Sequence, residues 1–311
     1  MDISIIICCY NSEYRIKSTL EHLACQNIGF LGCELILVDN NCQDNTVKIA
    51  LSVWEDCNNP FTLRIEEQKE PGLSHARRKG IYTAKGEIII FCDDDNWLEK
   101  DYIKNAFEIM KSNSKIGVLS GQSRAVSDIE IPTWFYSHYS YYACGVLAMQ
   151  SGDVTSRMWV WGAGMVLRRE LIMKIYSLFS HKLTGRKGQD LSSGEDVEIC
   201  LWHILSGYKL WYASELSIKH YMSNFRLDSK MAVKQFKEQL QSSKLLNSLN
   251  HMTIEYFLWS SSMYKYLFSM LIQLIKLNIF NFLIKFYYLI IFIGILPNQT
   301  FIRARKIQQI K

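Results

Sequence analysis

The 311-residue chain is 49% hydrophobic and low in glycine (16) and proline (4), which excludes a low-complexity or fibrous protein and allows one large domain plus an appendage. Nine scattered cysteines without a CxxC pair exclude a disulfide framework and a zinc ribbon, and they fit a reduced, cytosolic compartment. The net charge of +5 hides an asymmetry: Arg226 onward holds 12 Lys/Arg and 3 Asp/Glu, net +9, whereas the preceding residues hold 23 and 27, net −4, so a basic tail on a mildly acidic body points to an anionic partner for the tail.

Met1-Asp2 leads straight into an apolar run with no basic n-region, so no signal peptide is expected. Ile3 to Cys9 reads as a strand buried on both faces, ending at Tyr10-Asn11. Ile16, Leu20, Leu23 and Ala24 follow at helical spacing. Leu35 to Val38 is a second strand ended by Asp39, and Asp44 is placed to cap a helix through Val47, Ala50 and Leu51. Phe61 to Ile65 is a third strand, Pro71-Gly72 a turn, and Leu73 to Ala84 a helix carrying Arg77, Arg78 and Lys79. Ile88 to Cys92 is a fourth strand, Asp101 to Lys111 a helix and Gly117 to Ser120 a strand.

Residues 127–158, rich in Tyr, Ser and Trp, read as loops over a site. Trp159 to Leu167 reads as a strand whose Gly162 and Gly164 let a ligand approach the backbone. Ser193 to Asp196 opens a helix that Gly207 ends, and Tyr208 to Tyr212 and Leu216 to Tyr221 read as two closing strands. Strands alternating with helices predict an α/β fold over 1–225, with a mostly parallel central sheet flanked by helices, and a helical appendage over 226–311.

The fourth strand runs directly into Asp93-Asp94-Asp95. Open α/β sheets place ligand crevices at such strand ends. Three adjacent carboxylates repel one another; a divalent cation would offset this, and oxygen ligands suit Mg²⁺ or Mn²⁺. The alternative is an acidic turn in water. Leu98 and Lys104 stand where an EF-hand needs Gly and Glu, which excludes a calcium loop. The absence of GxGxxG after the first strand speaks against a dinucleotide-binding domain.

Five segments in order carry a resemblance: Ser4 to Asn11, Leu37 to Thr46, Pro71 to Gly80, Asp93 to Asp95 and Gly194 to Glu198. Over about 1–225 the chain resembles the family-2 glycosyltransferases, inverting enzymes of the GT-A fold. The resemblance implies a metal-dependent transferase moving a sugar from a nucleotide-sugar donor to a glycan or lipid-linked acceptor, as in bacterial surface-polysaccharide synthesis. Asp93-Asp94-Asp95 falls at the family's DxD motif. Asp95 is the first-choice ligand of Mn²⁺ or Mg²⁺; Asp93 is the second, touching metal or ribose, and Asp94 is the remaining donor-side candidate. His220 falls where some members complete the metal shell; a satisfied histidine is the alternative. Asp196 falls at the base that deprotonates the acceptor, with Glu195 as its neighbour or acceptor contact. Ser193 and Asp196 equally have the spacing of a capping box. Asp39, with Tyr10 and Asn11, falls at the nucleoside-binding turn, where an Asx turn is the alternative. Arg77 is a candidate contact for base or diphosphate. Arg78 departs from the family's usual Asn. Trp159 and Trp161 are candidates for stacking on sugar rings or for the core.

In the tail, Ser262, Lys265, Ser269, Gln273 and Lys276 share one helical stripe, opposite a wide apolar face. Phe282 to Leu296 is more apolar still, and Pro297 stops it. A span would bury Lys285 and carry the terminal cations away from the body, against the positive-inside tendency. Helices lying on an anionic membrane surface, at the inner face of the cell membrane, are expected instead, with packing on the body or on a second copy (a homodimer) as alternatives. No nucleic acid is expected as partner. Two rival functions remain: a nucleotidyltransferase, whose Gly-rich basic loop is absent after the first strand, and a catalytically silent membrane scaffold for glycan assembly.

Overall fold

The computed structural model describes residues 1–179, 182–187, 193–276, 278–294 and 298–308. In chain order the first half consists of β1 (Ile3–Cys9), α1 (Ile16–Ala24), β2 (Cys33–Asp39), α2 (Thr46–Asp56), β3 (Thr62–Glu67), α3 (Leu73–Thr83), β4 (Ile88–Phe91), β5 (Asn96–Leu98), α4 (Tyr102–Ser112) and β6 (Ile116–Val126). The second half consists of α5 (Thr133–Tyr136), β7 (Gly152–Asp153), β8 (Val166–Arg168), α6 (Arg169–Leu178), α7 (Glu195–Leu205), β9 (Lys209–Tyr221), α8 (Ser229–Ser261), α9 (Met263–Ile275), α10 (Ile279–Phe292) and α11 (Gln299–Gln308).

One sheet runs β3-β2-β1-β4-β8-β6-β9-β5, with β7 on β9. β1 to β4 are mutually parallel, and β8 enters antiparallel between β4 and β6. The continuous apolar runs of β1, β2 and β4 follow from burial on both faces. Ile3, Ile5 and Ile7 pack with α1, α2 and α4, while Ile6 faces the side covered by α3, α6, α7 and α8. The expected mixed α/β sheet flanked by helices is therefore present, with its parallel half carrying the N-terminal strands.

Three local expectations are corrected. Residues 159–165 are not a strand: Gly164 adopts φ +69°, Met165 N–H returns to Gly162 O, and only Val166–Arg168 pairs in the sheet. The run is apolar because Trp161, Ala163 and Met165 are buried beneath the cleft. The two closing strands are one, β9, whose polar Ser214-Glu215 lies beside a register irregularity opposite Ser120/Gln122. Asp44 caps from one position upstream, with Asn45 at the N-cap and the Asp44 carboxylate accepting from Thr46 N–H at 3.0 Å.

The tail begins with the 33-residue α8, capped by Asp228, whose Leu246, Leu249 and Met252 join the core beside α7. α11 packs back on the body: Gln308 Nε2 donates to Leu205 O at 2.7 Å, and Phe301, Ala304 and Ile307 are buried. α9 and α10 present Phe268, Leu271, Ile275, Phe280 and Leu283 to solvent, while Ser269 and Gln273 are half-buried. Among the described residues no helix is long and apolar enough to cross a membrane. The Leu296-Pro297 stop lies outside the described residues.

Candidate active site

The C-terminal ends of β1 and β4, the N-termini of α3 and α7, and the middle of α8 from Phe236 to Asn250 enclose a cleft of about 790 Å³. Tyr10, Arg77, Asp93, Asp94, Asp95, Glu195, Asp196 and His220 all line it. Asn11 and Asp39 are not among the lining residues: Asn11 Oδ1 accepts from Gln43 N–H at 2.8 Å, and Asp39 Oδ1 accepts from Cys42 N–H at 2.8 Å. Asn40 lines the cleft instead and fixes the next loop, donating to Gln68 O and Glu70 O and accepting from Gly72 N–H.

The three aspartates are held differently. Asp94 is clamped by the Ser12 hydroxyl and by Arg15 at 2.7 Å, and Thr19 donates to its carbonyl at 2.8 Å. Asp93 faces Arg77, Nη2 to Oδ1 3.4 Å. Asp95 faces His220 at 3.3 Å and Arg226 at 2.8 Å. The β5–β9 register, Asn96 opposite His220, brings the imidazole to Asp95. Burial opposes ionisation of Asp95, but His220, Arg226 and Arg15 outweigh it and hold the carboxyl well below the usual range. Burial raises the Asp93 carboxyl despite Arg77.

Across the cleft, α7 starts at Gly194, φ +112°, with no side-chain cap, so Ser193 and Asp196 form no capping box. Asp196 Oδ2 accepts from Gly162 N–H at 3.0 Å, and Oδ1 from Val197 N–H at 2.8 Å. Glu195 is buried; its Oε1 lies 3.6 Å from Arg77 Nη1, and Oε2 has no hydrogen-bond partner among the described residues. Burial raises its carboxyl, with Arg77 opposing. Arg77 is itself buried, stacked 4.8 Å from the Phe91 ring centroid, and links the two acidic groups. Trp161 is buried and donates to Ser140 O, whereas half-buried Trp159 pairs with Arg157; both line the cleft.

Among the described residues no three His, Cys, Asp or Glu side chains converge on one ion position. Asp95 and His220 do converge, and their chemistry suits a cation. Burial lowers the His220 imidazole, but the Asp95 carboxylate outweighs it and raises the group to about 9, so a cation entering here displaces a proton. Once neutral, Nε2, 2.8 Å from the donor-only Arg226 guanidinium and 3.3 Å from Asp95 Oδ1, presents a lone pair beside a carboxylate oxygen. A carboxylate and a neutral imidazole are fit ligands for Mn²⁺ or Mg²⁺. Sequence reasoning missed Arg15, Arg186 and Arg226, which set guanidinium groups among the carboxylates that line the cleft. A basic residue in the turn before a long amphipathic helix offered no signal beyond charge.

The fold is shared with solved structures. Staphylococcus aureus TarS 1–349 in complex with UDP-GlcNAc aligns at TM-score 0.54 with 19% identity, over 84% of this chain and 74% of that one. GalNAc-T7 with UDP, GalNAc and Mn²⁺ aligns at 0.54 with 13% identity, over 71% and 44%. The sheet with its acidic strand end thus defines a protein of the GT-A type. Residues 4–175 match the model of glycosyl transferase family 2, and the chain belongs to that family. EpsH of Bacillus subtilis (strain 168) is 35% identical over 100 residues, which are 32% of this chain and 28% of that protein. TarS of S. aureus (strain Mu50 / ATCC 700699), a poly(ribitol-phosphate) beta-N-acetylglucosaminyltransferase, is 31% identical over 108 residues, 34% and 18%. The chain thus spans less than a third of the length of these two relatives.

Proposed function

We propose that this protein is an inverting glycosyltransferase that moves a sugar from a nucleotide-diphosphate donor to a hydroxyl of a glycan or lipid-linked glycan, in surface-polysaccharide synthesis. The observation that carries the reading is that Asp95–His220 and Glu195–Asp196 line one cleft, with Arg77 between Asp93 and Glu195. Asp95 and His220 would hold Mn²⁺ or Mg²⁺, with Asp93 a further carboxylate of the same strand end. Bound there, the ion offsets the charge that develops on the departing diphosphate. Arg77, Arg186 and Arg226 add positive charge to the same cleft.

Asp196 takes the proton of the acceptor hydroxyl. Its two backbone hydrogen bonds, from Gly162 and Val197, orient the carboxylate. Glu195 contacts the acceptor through the oxygen that Arg77 leaves free. Tyr10 and Asn40 border the nucleoside end, with Asn11 and Asp39 shaping the turn behind them.

The solvent-facing apolar side of α9 and α10 supports peripheral binding to an anionic membrane at its inner face: residues 256–311 contain seven Lys/Arg and no Asp or Glu. A second copy seated on the same face is the competing occupant.

The relatives of this fold solved with UDP-GlcNAc and with UDP, GalNAc and Mn²⁺ make uridine-diphosphate sugars with Mn²⁺ the first donors to test. Calorimetry with a panel of these donors, with and without Mn²⁺, should show metal-dependent binding, and Asp95→Ala should abolish it together with turnover. Unchanged binding and turnover in Asp95→Ala would refute the metal assignment. Transfer absent with every nucleotide sugar and metal would favour the silent scaffold.

A further inference from the structure

Arg226 is seated where the proposed ion's two ligands point. Its Nη1 lies 2.8 Å from Asp95 Oδ2 and 2.8 Å from His220 Nε2. The guanidinium carbon lies 5.7 Å from the Tyr142 ring centroid, within cation–π range. The side chains of Arg226, Asp95 and His220 are only 14%, 11% and 5% exposed, so water screens these contacts little. An imidazole nitrogen has one lone pair. It accepts from a guanidinium N–H or it ligates a metal ion, never both.

We propose that Arg226 is a built-in cation that competes with the divalent ion for Asp95 and His220, and that ion loading transfers this guanidinium to the donor's diphosphate. The proposal rests on the ion assignment made above. The backbone around Arg226 suits a side chain that swings while its base stays fixed. Arg226 N–H bonds Ser223 O at 2.9 Å, Leu227 is buried against Phe135 and Tyr142, and Asp228 caps α8 two residues on. The guanidinium already lines the cleft beside Arg186, whose like charge opposes its staying without an anion. A diphosphate offers the displaced guanidinium a bidentate partner. The ion and the nucleotide therefore bind cooperatively, because the nucleotide gives Arg226 somewhere to go.

The probe is Mn²⁺ itself, with the free ion counted by electron paramagnetic resonance during titration of the full-length protein. Without nucleotide, Arg226→Gln should bind Mn²⁺ about tenfold more tightly than the wild type, since a charge-assisted hydrogen bond is worth on the order of a decade in affinity. Arg226→Met, which keeps an unbranched stem and removes the charge, should do the same and stands in if the glutamine variant fails to fold. UDP should tighten Mn²⁺ binding more in the wild type than in either variant. Arg186→Gln removes an equal charge from the same wall without touching Asp95 or His220, and it should change Mn²⁺ affinity far less. Equal or weaker Mn²⁺ binding in the Arg226 variants overturns the exchange. Equal tightening in Arg186→Gln also overturns it, because the effect would then be the general field. Mn²⁺ binding absent from every protein, with UDP as well as without, overturns both the exchange and the ion assignment beneath it.

Discussion

The Gly162 amide donates to the Asp196 carboxylate at 3.0 Å, so a loop buried beside the sheet aims the group assigned as base. The approach is close enough that a side chain at 162 would have to displace its neighbours. A Cβ at 162 would lie 3.1 Å from Asp196 Cβ and 3.2 Å from Arg77 Nη2. Gly162→Ala should therefore move Asp196 and Arg77 together. Overpacking of this kind costs about 1–3 kcal/mol. A thermal melt should show that loss, and the transfer rate should fall at least about tenfold, in line with the sensitivity of catalysis to small misplacements. An unchanged rate would mean that the Gly162 contact does not aim the base.

Asp196→Asn should leave nucleotide-sugar binding within about twofold and lower transfer by about 10²-fold or more, the usual contribution of a positioned base. Binding by calorimetry and transfer by nucleotide release measure the two separately. Loss of binding instead would make Asp196 a structural element of the start of α7.

His203 supplies a pH test remote from the cleft. It is fully buried in α7, and its Nδ1 lies 2.7 Å from Ile199 O. Burial pushes the imidazole down to about 4 from 6.5. The unfolded chain gains a proton as pH falls through the ordinary histidine value, and the folded chain does not gain it until about 4. The stabilisation is thus complete above pH 6.5 and is lost between 6.5 and 4. It amounts to on the order of 3 kcal/mol across that window. Urea melts of wild type and His203→Gln at several pH values should show a shallower acid decline in the variant; parallel declines would exclude His203 as the cause.

The tail can be tested with vesicles. Sedimentation with phosphatidylglycerol vesicles should pull the protein down at low salt, and Phe268→Asp combined with Phe280→Asp should abolish this. Each residue is well exposed, at 63% and 73%, so the changes spare the core. Capture equal to wild type would exclude this face. A dimer broken by the same changes would assign the face to a second copy.

Much of the site was legible because it is local. A buried strand that stops at three carboxylates, and a helix that opens with Glu195-Asp196, announce themselves without knowledge of the fold. Their meeting in one cleft agrees with the family's order of segments. His220 came from its family position, but the imidazole reaches Asp95 only through the β5–β9 register, which no sequence period encodes. Arg226 was invisible because its partners lie 131 and 6 positions away on other segments. Trp159 to Met165 misled for a different reason. Burial makes a loop as apolar as a strand, and only the left-handed turn at Gly164 separates the two.

α8 runs unbroken for 33 residues, roughly 50 Å at helical rise. Its middle, from Phe236 to Asn250, borders the cleft and its far end hands over to α9. A rod of that kind converts a resting posture into an aim. Whatever the outward greasy patch settles on, the angle it adopts there decides which way the mouth of the cleft looks, and so from which side an acceptor can arrive.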